Sequence, residues 1–261
     1  MVAIGGALLD IDGVLVVSSQ ALPGAGAAVD RLRRAGTPVR FVTNTTSTPA
    51  AGIAEMLLHA GIELGGGDLV TAGIATAAHL RAHHPGARCL LLNDGSSDDL
   101  AGIKLADPDD READVVVIGG GGPSFTWDRL NVALECLLDG AALVAMHGTT
   151  LWKTADGTCL DGGAYAAMLA SAAGVAATVV GKPSPAMFLT AASSMDVDPA
   201  AVAMVGDDLH GDVLAAQHLG MTGVLVRTGK FRPEVLERGD EAPDHVVDSI
   251  ADVPDLLASL A

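Results

Sequence analysis

The alternation of two kinds of segment constrains this chain more than any other feature. Short apolar runs of strand length alternate with Ala-rich amphipathic stretches along most of the 261 residues. Such alternation predicts βαβ units, in which a crossover helix brings successive strands side by side and parallel. Hydrophobic residues make up 49% of the chain, enough to bury a large core without a metal or a disulfide. The expected fold class is therefore α/β.

Strands and helices can be placed approximately from these patterns. Several helical stretches end on glycine, the usual residue after a helix C-terminus. The predicted strands lie near 4–10, 39–43, 69–71, 88–93, 114–119, 142–146, 177–181, 202–205 and 223–226. The predicted helices lie near 24–36, 49–61, 125–140, 164–174, 184–195 and 211–220.

One stretch in the middle third departs from the alternation. Residues 147–163, HGTTLWKTADGTCLDGG, are polar and Gly-rich, which predicts a hairpin or an extended loop. Its position predicts a Rossmann-like parallel-sheet core domain with an inserted smaller α/β domain. The expected boundaries place the core at 1–76 and 178–261 and the inserted domain at 77–177.

Charge and composition narrow the possible partners and the location. The formal net charge is −17, which argues against non-specific binding to nucleic acid or to anionic membranes. No apolar stretch is long enough to span a membrane and no cleavable leader precedes Asp10, so a cytoplasmic protein is expected. The cysteines, Cys89, Cys136 and Cys159, have no metal-ligand spacing and are expected to be buried free thiols.

The first predicted strand ends in an unusual pair of acids. In LLDIDGVL, residues 8–15, Asp10 and Asp12 are two positions apart, so in an extended chain their side chains point the same way. Two carboxylates so placed repel each other, and burial adds a desolvation cost that a cation would offset. The pair is either a metal-assisted site or an ordinary Asp-Gly turn closing a strand.

Two other predicted strands also end in polar groups. Thr43 and Asn44 follow VRFV and could donate hydrogen bonds to a phosphoryl oxygen, although Thr43 could equally begin the next helix as its N-cap. Lys182 follows ATVV and is either a surface cation or a fixed positive charge at a site. GKPS does not have the spacing of a P-loop.

A fourth strand end is acidic. Asp207, Asp208 and Asp212 follow VAMV, and a solvated helix start also favours acids. Because the carboxyl ends of parallel strands share one edge of a sheet, the four ends are expected to converge. Hard oxygen ligands select Mg²⁺, and a lysine with hydroxyl and amide donors suits an anionic substrate. These groups together predict a phosphoryl-transfer site.

The order of these motifs resembles the haloacid dehalogenase superfamily over nearly the whole chain. The motifs are DxDG-V, a strand-end Thr, an isolated Lys and a later GDDxxxxD, with the insertion between the Thr and Lys motifs. The resemblance implies a Mg²⁺-dependent phosphatase of the subgroup with an inserted α/β cap. It implies that Asp10 is the nucleophile that forms an aspartyl-phosphate. Asp12 would be the general acid and base, with its backbone carbonyl on Mg²⁺.

The same resemblance implies roles for the remaining motif residues. Thr43 and Asn44 would hold phosphoryl oxygens, and Lys182 would balance the charge of the nucleophile and the phosphoryl group. Asp10 and Asp207 would bind Mg²⁺ directly. Asp208 and Asp212 would support the metal indirectly, Asp212 through water or Lys182. A homodimer is a further expectation that comes from the resemblance alone.

The substrate is less constrained than the chemistry. VVGKPSP, GDDLHGDV and VRTGKFRP are most similar to phosphatases of phosphoramidates and pyrophosphate, but those relatives often carry Ser where this chain has Asp12. A carboxylic acid suits an alkoxide leaving group, which favours small phosphate monoesters over phosphoramidates or pyrophosphate. A phosphotransferase and a non-catalytic binding protein are the alternative functions.

Selection of the leaving group is expected to fall to the cap. Its candidates are His147, Trp152 and Lys153, for which a core-facing His and a surface Trp-Lys pair are the alternatives. The run GGGGPS, residues 119–124, lacks the spacing of a dinucleotide-binding loop and is expected to be a flexible turn of the cap.

Overall fold

The computed structural model of the chain describes residues 3–154, 157–238 and 241–260. Its strands are β1 (Gly6–Asp10), β2 (Val16–Val17), β3 (Gln20–Ala21), β4 (Val39–Thr43), β5 (Leu69–Thr71), β6 (Arg88–Leu92), β7 (Lys104–Leu105), β8 (Val115–Ile118), β9 (Ala142–Ala145), β10 (Leu151–Thr154), β11 (Gly157–Leu160), β12 (Ala177–Val179), β13 (Val202–Gly206), β14 (Thr222–Val226) and β15 (His245–Val247). Its helices are α1 (Ala25–Arg34), α2 (Ala50–His59), α3 (Ala72–His83), α4 (Trp127–Leu138), α5 (Gly162–Ala173), α6 (Pro185–Ser193), α7 (Ala215–Gln217), α8 (Pro233–Arg238) and α9 (Val253–Ser259).

The first sheet has six strands in the order β15-β14-β13-β1-β4-β5. Strand β1 pairs in parallel with β13 on one side and with β4 on the other, so that Leu8 lies opposite Met204 and Arg40. All five residues of β1 are buried, which explains why GALLD reads as an apolar run rather than as an alternating pattern. The acid that ends this run is therefore at the centre of the sheet.

The second sheet has five strands in the order β12-β9-β8-β6-β7, also parallel. All of its strands fall in the chain between β5 and β13, so the second sheet is inserted into the sequence of the first. Helices α4 and α5 pack on it around Leu143, Ala133 and Leu169. The α/β fold class, with a parallel-sheet core and an inserted α/β segment, is confirmed.

The chain divides by its packing into two compact units. The first unit comprises Met1–Thr43, Ala51–Val70 and Met187–Ala261, and the second comprises Asn44–Ala50 and Thr71–Ala186. The domain boundaries expected from the sequence, 1–76 with 178–261 and 77–177, stay a prediction.

The irregular stretch 147–163 contains the predicted hairpin, since β10 and β11 pair antiparallel with Trp152 opposite Cys159. The expectation of three buried thiols is wrong for one of them. Cys89 and Cys136 are buried in the second unit, whereas Cys159 lies on β11, whose described residues are all exposed. A two-stranded ribbon buries too little surface to enclose the thiol, which explains the difference.

Candidate active site

Three carboxylates meet in the first unit, where β1 and β13 end side by side. Asp10 is the last residue of β1, Asp207 follows β13, and Asp212 lies in the turn after it. One carboxylate oxygen from each lies within 4.8 Å of the other two, and the residues are 5%, 2% and 2% exposed. Buried carboxylates this close are costly unless a cation compensates their charge. The arrangement is therefore suited to holding a cation.

A π-helical turn, Leu209–Leu214, returns Asp212 to the end of β13. Asp208 begins this turn as its N-cap, because its carboxylate accepts a hydrogen bond from the Gly211 N–H at 2.9 Å. The Asp208 carbonyl accepts from the amides of both Asp212 and Val213, which widens the turn beyond an α-helical one. At Gly206 a Cβ atom would lie 2.3 Å from the Cβ of Asp212, so only glycine allows this approach.

Two glycines with positive φ enclose Asp207. Gly13 has φ 86° and Gly229 has φ 60°, and a Cβ at either would lie within 2.0 Å of Asp207 Oδ2. The Thr228 hydroxyl donates to the Gly13 carbonyl and so joins the loop after β1 to the loop after β14. Both loops thus form a close-fitting wall around one carboxylate of the group.

Lys230 is a site residue that the sequence interpretation did not include. Its backbone N–H donates to Asp207 Oδ2 at 2.6 Å, and its Nζ lies 3.7 Å from Asp208 Oδ2. Burial lowers the pKa of Lys230, but the carboxylates of Asp207, Asp208, Asp10 and Asp212 together raise it above its ordinary value. The signal that could have identified it is its position after β14, another strand of the same sheet.

The donor set fits a magnesium ion. Three carboxylate oxygens within 4.8 Å of each other are hard ligands, and hard ligands are those that Mg²⁺ prefers. Asp212 belongs to this group, although the resemblance implied an indirect role for it. The carboxylate of Asp12 is outside the group of three and Asp12 is exposed, in a position where it can meet a ligand from solvent.

Thr43 lies beside these acids in the first sheet. It is the last residue of β4 and is 2% exposed. The residue before it, Val42, pairs with Asp10 in the parallel ladder between β1 and β4. The predicted convergence of strand ends is therefore observed for Asp10, Thr43 and Asp207, whose three strands are neighbours in the sheet.

Asn44 and Lys182 belong to the second unit and bond to each other. The side-chain carbonyl of Asn44 accepts from the Lys182 N–H at 2.9 Å, and its amide nitrogen donates to the Lys182 carbonyl at 2.8 Å. Lys182 is buried, with 6% of its surface exposed. The phosphate-binding role expected for Asn44 stays a prediction, and its side chain has an additional structural partner in the lysine backbone.

The cap candidates differ in their surroundings. His147 follows β9 and is 3% exposed; its Nε2 lies 3.8 Å from Asp161 Oδ1, and its buried Nδ1 has no hydrogen-bond partner in the part of the chain that is described. Burial lowers the pKa of His147, although Asp161 opposes the shift. Trp152 is 46% exposed on β10. Lys153 is on the same strand, but its side chain lies outside the described part of the structure.

Family models match two segments of the sequence, and solved structures match the fold. A model described as haloacid dehalogenase-like hydrolase matches residues 7–103, and one described as HAD-hydrolase-like matches residues 179–253. A p-nitrophenyl phosphatase from Archaeoglobus fulgidus is similar with a TM-score of 0.88 and 29% identity, over 97% of this chain and 99% of that one. NagD from E. coli K-12 is similar with a TM-score of 0.86 and 27% identity, over 96% and 98%.

Two curated relatives cover nearly the full length. Haloacid dehalogenase-like hydrolase domain-containing protein 2 of Bos taurus is 36% identical over 255 residues, 95% of this chain and 96% of the relative. Phospholysine phosphohistidine inorganic pyrophosphate phosphatase of Homo sapiens is 35% identical over 263 residues, 98% of this chain and 95% of the relative. With relatives this similar over almost its whole length, the chain belongs to the haloacid dehalogenase-like hydrolases.

Proposed function

We propose that the protein is a Mg²⁺-dependent phosphatase of small phosphorylated molecules, acting through an aspartyl-phosphate on Asp10. The observation that carries the proposal is the group of three buried carboxylates at the ends of β1 and β13. Such a group gains nothing for folding without a cation. Membership of a hydrolase family with phosphatases among its members supports the same chemistry.

The proposed mechanism starts from Asp10. Mg²⁺, held by Asp10, Asp207 and Asp212 with the Asp12 carbonyl, would neutralise charge on the nucleophile and the phosphoryl group. A carboxylate oxygen of Asp10 attacks phosphorus, the bond from phosphorus to the leaving oxygen breaks, and Asp12 gives that oxygen its proton. The ionised Asp12 then takes a proton from water, which hydrolyses the acyl phosphate and restores Asp10. Thr43 donates a hydrogen bond to a phosphoryl oxygen, and Lys182 supplies positive charge.

The nature of the leaving group is the open choice. The exposed carboxyl of Asp12 suits an alkoxide that must be protonated, which favours phosphate monoesters. The second candidate is a phosphatase of phosphoramidates or pyrophosphate, whose leaving groups need less protonation. The name of the human relative, which lists phospholysine, phosphohistidine and pyrophosphate, supports this candidate. A phosphotransferase would yield a transferred ester in place of free phosphate.

Several expectations remain proposals of the same kind. They are the selection of substrate by His147, Trp152 and Lys153, a homodimer, and a cytoplasmic location. No helix within the described residues is both long enough and apolar enough to cross a lipid bilayer.

The proposal is tested by phosphate release from a panel of monoesters, phosphoramidates and pyrophosphate, with Mg²⁺ and with EDTA. Asp10→Asn is expected to lower kcat by about a thousandfold or more, since an amide cannot be the nucleophile. Asp139→Asn, a change at an exposed acid beyond α4, is the matched control and should retain wild-type rates. Release that persists in EDTA, or in Asp10→Asn, would overturn the mechanism. Transfer without free phosphate would favour the phosphotransferase.

A further inference from the structure

The backbone of Lys182 lies in a turn just after β12. The Gly181 N–H donates to the Met146 carbonyl at 2.8 Å, and the Ser184 N–H closes the turn by donating to the Gly181 carbonyl at 2.9 Å. Within this turn, the partner of Lys182 is the side-chain amide of Asn44, which bonds both the N–H and the carbonyl of the lysine. One primary amide thus pairs with the lysine backbone as a peptide group would.

An amide is the side-chain group best suited to this task. It offers one acceptor and one donor side by side, as a peptide does, whereas a carboxylate offers no donor. Lys182 is buried, and the next residue, Pro183, has no N–H to donate. A buried backbone group left without a partner is costly, so the pairing is strongly favoured.

Gly181 also allows the Asn44 side chain to approach the lysine backbone closely. A Cβ at this position would lie 2.6 Å from Asn44 Oδ1 and 2.4 Å from the Met146 carbonyl oxygen. Both distances are far below van der Waals contact, so any side chain here would displace Asn44. The Asn44 amide is therefore held against one face of the lysine backbone without room to shift.

We propose that Asn44 is a positioning residue that acts through Lys182, fixing its backbone so that the ammonium group is presented in one place. The inference rests on the proposed phosphatase function, because that function makes Lys182 catalytic. The lysine ammonium lies at the end of a flexible four-carbon stem, and a fixed backbone sets the point and direction from which that stem extends. An error of about 1 Å in the position of a catalytic group can cost roughly a hundredfold in rate.

A double-mutant cycle tests whether Asn44 acts through Lys182 or directly on the substrate. Asn44→Ala, Lys182→Ala and the double variant are compared by kcat and kcat/KM for the best substrate of the panel. Asn44→Ala alone is expected to lower kcat roughly 10- to 100-fold. In the Lys182→Ala background it should change kcat less than about twofold, because the group that it positions is gone. Lys182→Arg, which retains the charge, serves as a second background with a higher residual rate.

A matched control exists in the same unit. The Asn93 side chain also joins two loops through two hydrogen bonds, donating to the Ser96 carbonyl at 3.1 Å and accepting from the Gly120 N–H at 2.8 Å. Asn93→Ala should lower the unfolding temperature about as much as Asn44→Ala but keep the wild-type kcat. Additive losses in the cycle, or a wild-type kcat in Asn44→Ala, would overturn the inference. A wild-type protein that releases no phosphate would instead overturn the proposed function.

Discussion

Both sheets are parallel, but different residues follow the carboxyl ends of their strands. The carboxyl end of the first sheet is called the first edge, and that of the second sheet the second edge. In the first sheet, β1 and β13 end in Asp10 and Asp207, and Asp212 joins them to form a buried group of three acids. In the second sheet, β8 leads into glycines and β9 into His147. A parallel sheet brings loops together at this edge whatever their composition, so the residues after the strands decide what the edge can do.

At the second edge, Asp161 lies near the buried histidine, and its carboxylate is occupied by backbone amides. It accepts from the N–H groups of Gly121 and Gly162 at 3.0 and 2.7 Å. A Cβ at Gly119 or Gly120 would lie 2.3 or 2.4 Å from a side-chain oxygen, so these glycines are closely packed. The buried Lys182 also follows a strand of this sheet, β12. The first edge therefore collects buried acids, whereas the second has a buried lysine and closely packed polar contacts.

The largest expected effect is the loss of metal binding at the first edge. Asp207→Asn removes one of three clustered charges, so we expect Mg²⁺ no longer to raise the unfolding temperature and kcat to fall by about a hundredfold or more. Thermal unfolding with and without Mg²⁺ measures the first effect, and phosphate release measures the second.

The same substitution at the second edge is the control for this comparison. Asp161→Asn keeps a carbonyl oxygen that can accept from both backbone N–H groups, so the fold should persist and Mg²⁺ should stabilise the variant as it does the wild type. Equal loss of Mg²⁺ stabilisation in both variants would show that the metal is not specific to the first edge.

A smaller effect is expected when the wall around Asp207 is altered without removing a charge. In Gly13→Ala the new Cβ would lie 1.9 Å from Asp207 Oδ2, so the carboxylate must move and Mg²⁺ affinity should fall roughly tenfold. Gly36→Ala is the matched control, because Gly36 has a similar φ of 81° but nothing within 4 Å of the new Cβ.

Both substitutions place alanine in a left-handed conformation, which should cost each about 1 kcal/mol of stability, and the contact with Asp207 adds a further cost in Gly13→Ala alone. Only Gly13→Ala should also weaken Mg²⁺ binding, as measured by titration of the activity or of the unfolding temperature. Equal Mg²⁺ affinity in the two variants would contradict a close-fitting wall at Asp207.

The two edges also differ in how far the sequence predicts them. The first edge was predictable because GALLD is a buried run that ends in an acid and VAMVG is a buried run followed at once by two, a costly pattern with few explanations other than a site. Lys230 was missed because its backbone N–H, rather than its side chain, makes the closest contact with Asp207. Backbone contacts of this kind leave no residue-type signal.

The second unit was harder to predict from the sequence for a physical reason. Helix α3 was not predicted, because its Ala-rich residues are buried on several sides and show no single apolar face. The first unit has one comparable case: the predicted helix at 211–220 contains a π-helical turn and the short α7, since Asp208 bonds two amides at once. The bonds from Asn44 to Lys182 join residues 138 positions apart, and no local pattern encodes them.

The smallest expected effect concerns the buried histidine at the second edge. Burial lowers the pKa of His147 below its ordinary value of 6.5, so the unfolded chain binds this proton more readily than the folded one. The contribution of His147 to stability is therefore complete above about pH 6.5 and is lost as the pH falls below it. His147→Gln should show a smaller drop in unfolding temperature between about pH 7.5 and pH 5.5 than the wild type. His59→Gln, at an exposed histidine of α2, should keep the wild-type drop. If His147→Gln also keeps it, the proton affinity of His147 is the same in the folded and unfolded chain, which would contradict the lowered pKa.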